Sequence, residues 1–206
     1  FLVAIGRTPN TEGLGLQHAG IDVKPRGIVV NEYLQTTNTR VYAAGDVNGQ
    51  YLLSHVAELE SSLIIKNGFS PISSKISYEN MSWVTYTQPE IATLGNLNRA
   101  INDEDIVVIE SDFSDSDRAV IDGFENANAK IYLRDGRVEA ATIISDNAGA
   151  LIQELILAKQ EGILFRKFSE KTVPYPTHAA VIKMMSLRYL QEQISSTLKT
   201  VARWLW

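Results

Sequence analysis

Apolar residues along this chain gather in short runs separated by Gly, Pro, Asn and Asp, and in a few places the runs give way to helical spacing. Phe1-Leu2-Val3-Ala4-Ile5 is rich in β-formers and reads as a buried strand, ended by Gly6-Arg7-Thr8-Pro9-Asn10. Leu14, Leu16 and Ala19 predict a short helix closed by Gly20. Ile21-Asp22-Val23 follows, and Pro25-Arg26-Gly27 makes a turn before Ile28-Val29-Val30. Val41-Tyr42-Ala43-Ala44 reads as a short, fully buried strand with Gly45 and Asp46 at its carboxyl end. After it the period changes. Val56, Leu59 and Leu63, at i, i+3 and i+7, predict a helix from Ser54 to Lys66, with Ser54 as its cap and Gly68 suited to a left-handed stop.

Phe69 to Ser77, with Pro71 and its serines, reads as a linker, so a second domain is expected from residue 78. Its strands are expected at Met81–Tyr86, broken by Gln88-Pro89, then at Ile91–Gly95, Ile106–Ile109, Lys130–Leu133 and Val138–Ile144. Arg134-Asp135-Gly136-Arg137 joins the last two, and Asp-Gly between β-rich runs is a strong hairpin signal. Asp146 or Asn147 then caps a helix whose Ala148, Leu151, Ile152 and Leu155 form one apolar face, ended by Gly162. A helix packed on an antiparallel sheet is the expected result.

Composition narrows the function. The 206 residues are 45% hydrophobic and 21% charged, as in globular domains, and the net charge of −5 comes without any basic run. Nucleic acid is therefore not an expected partner, since phosphate binding needs clustered Lys and Arg. No stretch approaches the ~20 apolar residues that cross a bilayer, and a cytoplasmic protein is expected. Zero cysteines exclude disulfides, thiolate nucleophiles and Cys-based metal sites from this chain. Asp115 and Asp117 stand among serines, but that segment lacks the Gly and terminal Glu of a calcium loop, so a solvated acidic loop and no metal site are expected.

The chemistry centres on Gly45-Asp46. Ligands of open α/β sheets bind outside the carboxyl ends of strands, where Gly45 lets a group approach the backbone and the Asp46 carboxylate can accept hydrogen bonds from ribose or ribityl hydroxyls. The helix beginning near Ser54 presents unpaired N–H groups and roughly half a positive charge, which favours an anion such as a reduced flavin ring.

Tyr42-Ala43-Ala44-Gly45-Asp46-Val47, with Leu53-Ser54-His55-Val56-Ala57 and Glu60 downstream, resembles the second flavin-binding segment of the pyridine nucleotide-disulfide oxidoreductases. Gly6-Arg7-Thr8-Pro9-Asn10 resembles that family's exit from its nucleotide domain, and Val84 to Gly95 the opening of its interface domain. The resemblance implies the second half of an FAD-binding α/β domain (1–77), then an α+β dimerisation domain of antiparallel sheet and helices (78–190). It implies FAD and NAD(P)H as cofactors, with electrons passed to a disulfide, a metal ion or another acceptor. Gly45 and Asp46 would hold the ribityl chain, and Leu53, Ser54, His55 and Ala57 would flank the flavin ring. The chain would associate as a homodimer. Neither a redox cysteine pair nor a Gly-x-Gly-x-x-Gly is present, so the chain is expected to be the carboxyl-terminal fragment of a longer enzyme. A dimerisation module without bound cofactor is the alternative.

Pro174-Tyr175-Pro176-Thr177 resembles the family's His-Pro-Thr-x-x-Glu, but Tyr175 stands in the His position and Ala180 in the Glu position. The acid/base dyad is thus absent. A phenol is a poor base at neutral pH, yet it can donate a proton or a hydrogen bond. Tyr175, reaching the partner subunit's active site, and His178, as a displaced acid/base, are the candidate catalytic residues. Tyrosine at this position resembles mercuric reductase, although the terminal cysteine pair of that enzyme is missing. In residues 191–206 and the turn before them, Leu187, Leu190, Ile194, Leu198, Val201 and Leu205 mark one helical stripe, with Lys199, Arg203, Trp204 and Trp206 near its end. Packing on the chain's own dimer and docking on a membrane surface or partner both suit that pattern.

Overall fold

The computed structural model describes residues 1–114, 116–123, 127–193 and 198, and divides the chain into two units, Phe1–Tyr78 and Glu79–Trp206. In the first unit, strands β1 (Val23–Lys24) and β2 (Gly27–Ile28) form a hairpin across the predicted Pro25-Arg26 turn. A 3-10 turn at Leu16–Ala19 ends on Gly20, whose left-handed φ of 68° lets its N–H cap the turn. Ile21, Ile28 and Ala43 form a small core, with Leu16, Val30, Val41 and Val47 packed against it.

Two expected strands do not form. Phe1 to Ile5 forms no strand and is exposed, because no other described segment offers it a ladder partner. Val41 to Ala44 makes only the single bridge Gln35↔Tyr42; Ala43 N–H donates to Leu34 O and Thr36 N–H to Val41 O, so the run is tied to a loop rather than to a sheet. Leu34 holds that loop from inside, fully buried at a left-handed φ of 65°.

Helix α1 (Ser54–Phe69) begins and ends differently from expectation. Leu53 occupies the cap position with its backbone only, Ser54 is the first helical residue, and Gly68 lies inside the helix, which stops at Ser70. Asn67 explains the later stop: its side chain takes the N–H and the carbonyl of Ser74, folding the following segment back on the last turn. The buried stripe is Val56 and Glu60, whereas Leu59 is 43% exposed.

The second unit is an antiparallel five-stranded sheet in the order β3-β4-β7-β6-β5: β3 (Ser82–Thr85), β4 (Glu90–Leu94), β5 (Val107–Ser111), β6 (Asn128–Arg134) and β7 (Arg137–Ser145). The predicted Asp135-Gly136 hairpin forms, both residues having positive φ, 50° and 72°, as the tight primed turn requires. Leu94, Ile131, Leu133 and Ile143 fill one sheet face. Against them lie α4 (Ala148–Leu151), α5 (Gln153–Gln160), a 3-10 stretch (Phe165–Glu170) and α6 (Ala180–Gln193). The single helix expected after Asn147 is thus two, meeting at Ile152. Its cap differs as well: Asn147 makes no side-chain cap, and its N–H donates to Ser145 Oγ. The apolar face Ala148, Leu151, Ile152 and Leu155 is buried throughout.

Two short helices were not expected. Asn96 caps α2 (Leu97–Ile101), and Ser116 caps α3 (Asp117–Asp122), which Gly123 ends at a φ of 70°. Asp117 therefore belongs to a helix and not to an acidic loop, while Asp115 lies outside the described residues. So do Ile194, Lys199, Val201, Arg203, Trp204, Leu205 and Trp206 of the tail. Helix α6 buries Val181, Ile182, Met185 and Ser186, so the stripe begun at Leu187, 42% exposed, is not its packed face.

Candidate functional site

In the first unit the site is a tight turn held from below. Gly45–Asn48 forms a 3-10 turn in which Gly45 is buried at a φ of 79° and Asp46 is exposed. A Cβ on Gly45 would stand 3.0 Å from Ala57 Cβ, so glycine lets the turn approach α1 closely. Beneath it, Glu60 of α1 is fully buried. One of its oxygens, Oε2, accepts from Gly45 N–H at 2.6 Å and from Asn48 Nδ2 at 2.8 Å, and the other, Oε1, accepts from the Tyr78 hydroxyl at 2.5 Å. Asn48 Nδ2 also donates to Ala43 O at 3.3 Å. Burial, and then the hydrogen bond to Glu60, push the Tyr78 phenol far above its ordinary value.

Asp46 opens on a cleft of about 490 Å³ whose lining includes Arg7, Asn10, Arg26, Gln50 and Leu52. Arg7 Nη1 donates to Leu52 O at 2.8 Å, joining the Gly-Arg-Thr-Pro-Asn segment to the residue before the helix cap. Of the residues singled out from sequence, Gly45 and Ala57 meet, Asp46 faces the cleft, Leu53 is half-buried, and Ser54 and His55 stand exposed in the first turn of α1. A carboxylate on a cleft beside a glycine turn suits a polyhydroxylated chain, and Arg7 and Arg26 in the same lining suit a phosphate-bearing one.

In the second unit, helix α3 holds the Tyr175 segment through two carboxylates. The Tyr175 hydroxyl donates to Asp117 Oδ2 at 2.9 Å, although the side chain is 79% exposed. His178 Nε2 lies 2.9 Å from Asp122 Oδ2, which Arg118 Nε also reaches at 2.8 Å. The bond to Asp117 raises the Tyr175 phenol above its ordinary value, and Arg118, ahead of His178, lowers the Asp122 carboxyl. Asn48, Tyr78, Asp117 and Asp122 were missed in the sequence. Ser116 as N-cap and Gly123 as C-cap were the available signal for α3; nothing local marks Tyr78.

The geometry describes a glycine–aspartate turn on a cofactor-type cleft in one unit, and a sheet-and-helix unit bearing the Tyr175 segment in the other. Family models match both: residues 1–61 fit the pyridine nucleotide-disulphide oxidoreductase model and residues 81–186 its dimerisation domain. The chain belongs to the pyridine nucleotide-disulphide oxidoreductase family. It carries the later part of that family's FAD-binding domain, followed by the dimerisation domain. Among its relatives, a mercuric reductase of Staphylococcus aureus is 33% identical over 193 residues, covering 91% of this chain and 35% of the relative. A mitochondrial dihydrolipoyl dehydrogenase of Sus scrofa is 33% identical over 192 residues, covering 91% and 38%. The crystal structure of LpdA from Mycobacterium tuberculosis superposes with a TM-score of 0.84 at 26% identity, covering 91% of this chain and 42% of that one. The HOCl-induced flavoprotein disulfide reductase RclA of Escherichia coli shares the fold, with a TM-score of 0.83 at 19% identity over 90% and 44%. The chain spans about a third of the length of the curated relatives it matches.

Proposed function

We propose that this chain serves a homodimeric, FAD-dependent NAD(P)H oxidoreductase that delivers electrons to a disulfide, a metal ion or another acceptor. The observation that carries the reading is Asp46, exposed on its cleft while the turn beneath it is pinned to a buried carboxylate. The residues fit the cofactor. Asp46 would accept hydrogen bonds from the ribityl hydroxyls, Gly45 leaves room for close approach, and the N-terminal turn of α1, from Leu53 through Ser54, His55 and Ala57, would face the flavin ring. Bound FAD would supply hydride acceptance from NAD(P)H and onward electron transfer.

Tyr175 and His178 belong to the acceptor side of this reading, across the dimer. Because the Tyr175 hydroxyl spends its proton on Asp117, its lone pairs are the groups left to meet an acceptor. That suits a cation or a hydrogen-bond donor better than a leaving thiolate that needs a proton. The mercuric reductase relatives support a metal ion, and the dihydrolipoyl dehydrogenases support exchange with a dithiol–disulfide couple. Purifying the full-length protein tests the whole. Stoichiometric FAD, bleached by NADH or NADPH and recoloured by one class of acceptor, is the expected result. A colourless protein that still dimerises would leave only a dimerisation module.

A further inference from the structure

Glu60 is buried in a way that packing does not explain. Position 60 lies on the covered stripe of α1, one turn after Val56, where an apolar side chain would cost nothing to desolvate. Instead a carboxyl group sits there with its whole side chain out of water. Among the described residues it forms no ion pair, and its three donors, Gly45 N–H, Asn48 Nδ2 and the Tyr78 hydroxyl, are all neutral. Buried polar groups persist where they are fully hydrogen-bonded, and this one is bonded at both oxygens.

The donors come from separate pieces of chain. Gly45 N–H belongs to the Ala44–Gly45 peptide, so its bond fixes the plane on which the turn starts, one residue ahead of Asp46. Asn48, at the end of the same turn, bridges Glu60 and Ala43 O, closing the turn on itself. Tyr78 is the last residue of the first unit, and its ring also packs against Tyr51, with centroids 4.8 Å apart, in the segment between the turn and α1.

We propose that Glu60 is a positioning residue for Asp46, one carboxylate that fixes both the cofactor-facing turn and the point where the chain leaves this unit. The inference rests on the reading of Asp46 as the ribityl-holding residue. It acts through hydrogen bonding and not through volume: an apolar side chain of similar size fills the space but orphans three donors.

The test uses the full-length protein with Glu60→Leu and Glu60→Gln. Three quantities are read: the dissociation constant for FAD by flavin fluorescence, amide exchange at Gly45, and the ionisation of Tyr78. Glu60→Leu should weaken FAD binding by about tenfold or more and speed Gly45 exchange by a similar factor. Glu60→Gln should restore most of both, because its carbonyl oxygen still accepts from Gly45 and Asn48 while its amide faces the Tyr78 oxygen. In either variant Tyr78 should ionise closer to the ordinary tyrosine value. Wild-type FAD affinity and Gly45 protection in a folded Glu60→Leu protein would overturn the proposal. Should Glu60→Leu fail to fold, Asn48→Ala decides: it cuts the turn's second link, and unchanged FAD affinity and Gly45 exchange would overturn the proposal equally. If the wild type binds no FAD, the reading of Asp46 fails first, while the Gly45 exchange result still reports on Glu60 as the turn's anchor.

Discussion

Asp46, next to the Gly45 amide that Glu60 holds, and Tyr78, which donates to the same carboxyl group, each give a measurement of their own. Asp46→Ala removes a charged acceptor from the cleft without touching Glu60. A hydrogen bond to a charged group contributes roughly 1.5–3 kcal/mol, so FAD should be held about ten- to a hundredfold less tightly, as equilibrium dialysis of the full-length variant would show. Unchanged occupancy would mean that the turn does not hold the cofactor. Tyr78 predicts an alkaline effect. Its folded-state value lies above its unfolded value near ~10, so the stability it contributes is complete below that pH and is lost as pH rises toward the folded value. Wild-type protein should therefore lose melting temperature more steeply than Tyr78→Phe above about pH 10, with parallel curves below it. Identical slopes would place Tyr78 in water.

Among the elements, β4 shows how a backbone conformation fixes a register. Gly95 follows it at a φ of 74°, its N–H donating to Met81 O, and a Cβ there would meet Glu139 O of β7 at 2.5 Å. Gly95→Ala thus combines a left-handed backbone with a clash against a neighbouring strand. It should cost roughly 1–3 kcal/mol, read as a lower urea midpoint for the second unit. A neutral effect would mean that the β4–β7 edge yields easily. Elements whose signal is local were legible: the Asp135-Gly136 hairpin, the Ala148 to Leu155 face and the strands of the sheet follow from turn chemistry and period. Phe1–Ile5 and Val41–Ala44 were not, because a strand exists only when another segment supplies its ladder, and short apolar runs carry no record of that partner. Helix α3 was obscured by its aspartates, which suggested a loop until Ser116 and Gly123 bounded them.

For the whole molecule, the dimerisation-domain match to residues 81–186 supports two-fold association through the second unit. Light scattering on this 206-residue chain should report about twice 22.8 kDa at micromolar concentration. A monomer across the accessible range would count against a homodimer. Truncation after Gln193 probes the tail separately. If the tail packs on the dimer, the melt should fall; if it docks elsewhere, the melt should hold while vesicle or partner binding disappears.

By itself the sequence carried the family resemblance, the division near residue 78 and several local elements, a glycine turn, a following helix, an Asp-Gly hairpin and an apolar face, because these rest on motifs within short segments. Only the tertiary structure decided what holds those segments. Tyr78 reaches Glu60 across 18 positions, Tyr175 reaches Asp117 across 58, and His178 reaches Asp122 across 56. Such pairs are chosen by the packing of whole elements, which brings a carboxylate and its donors together only after every intervening helix and strand has found its place.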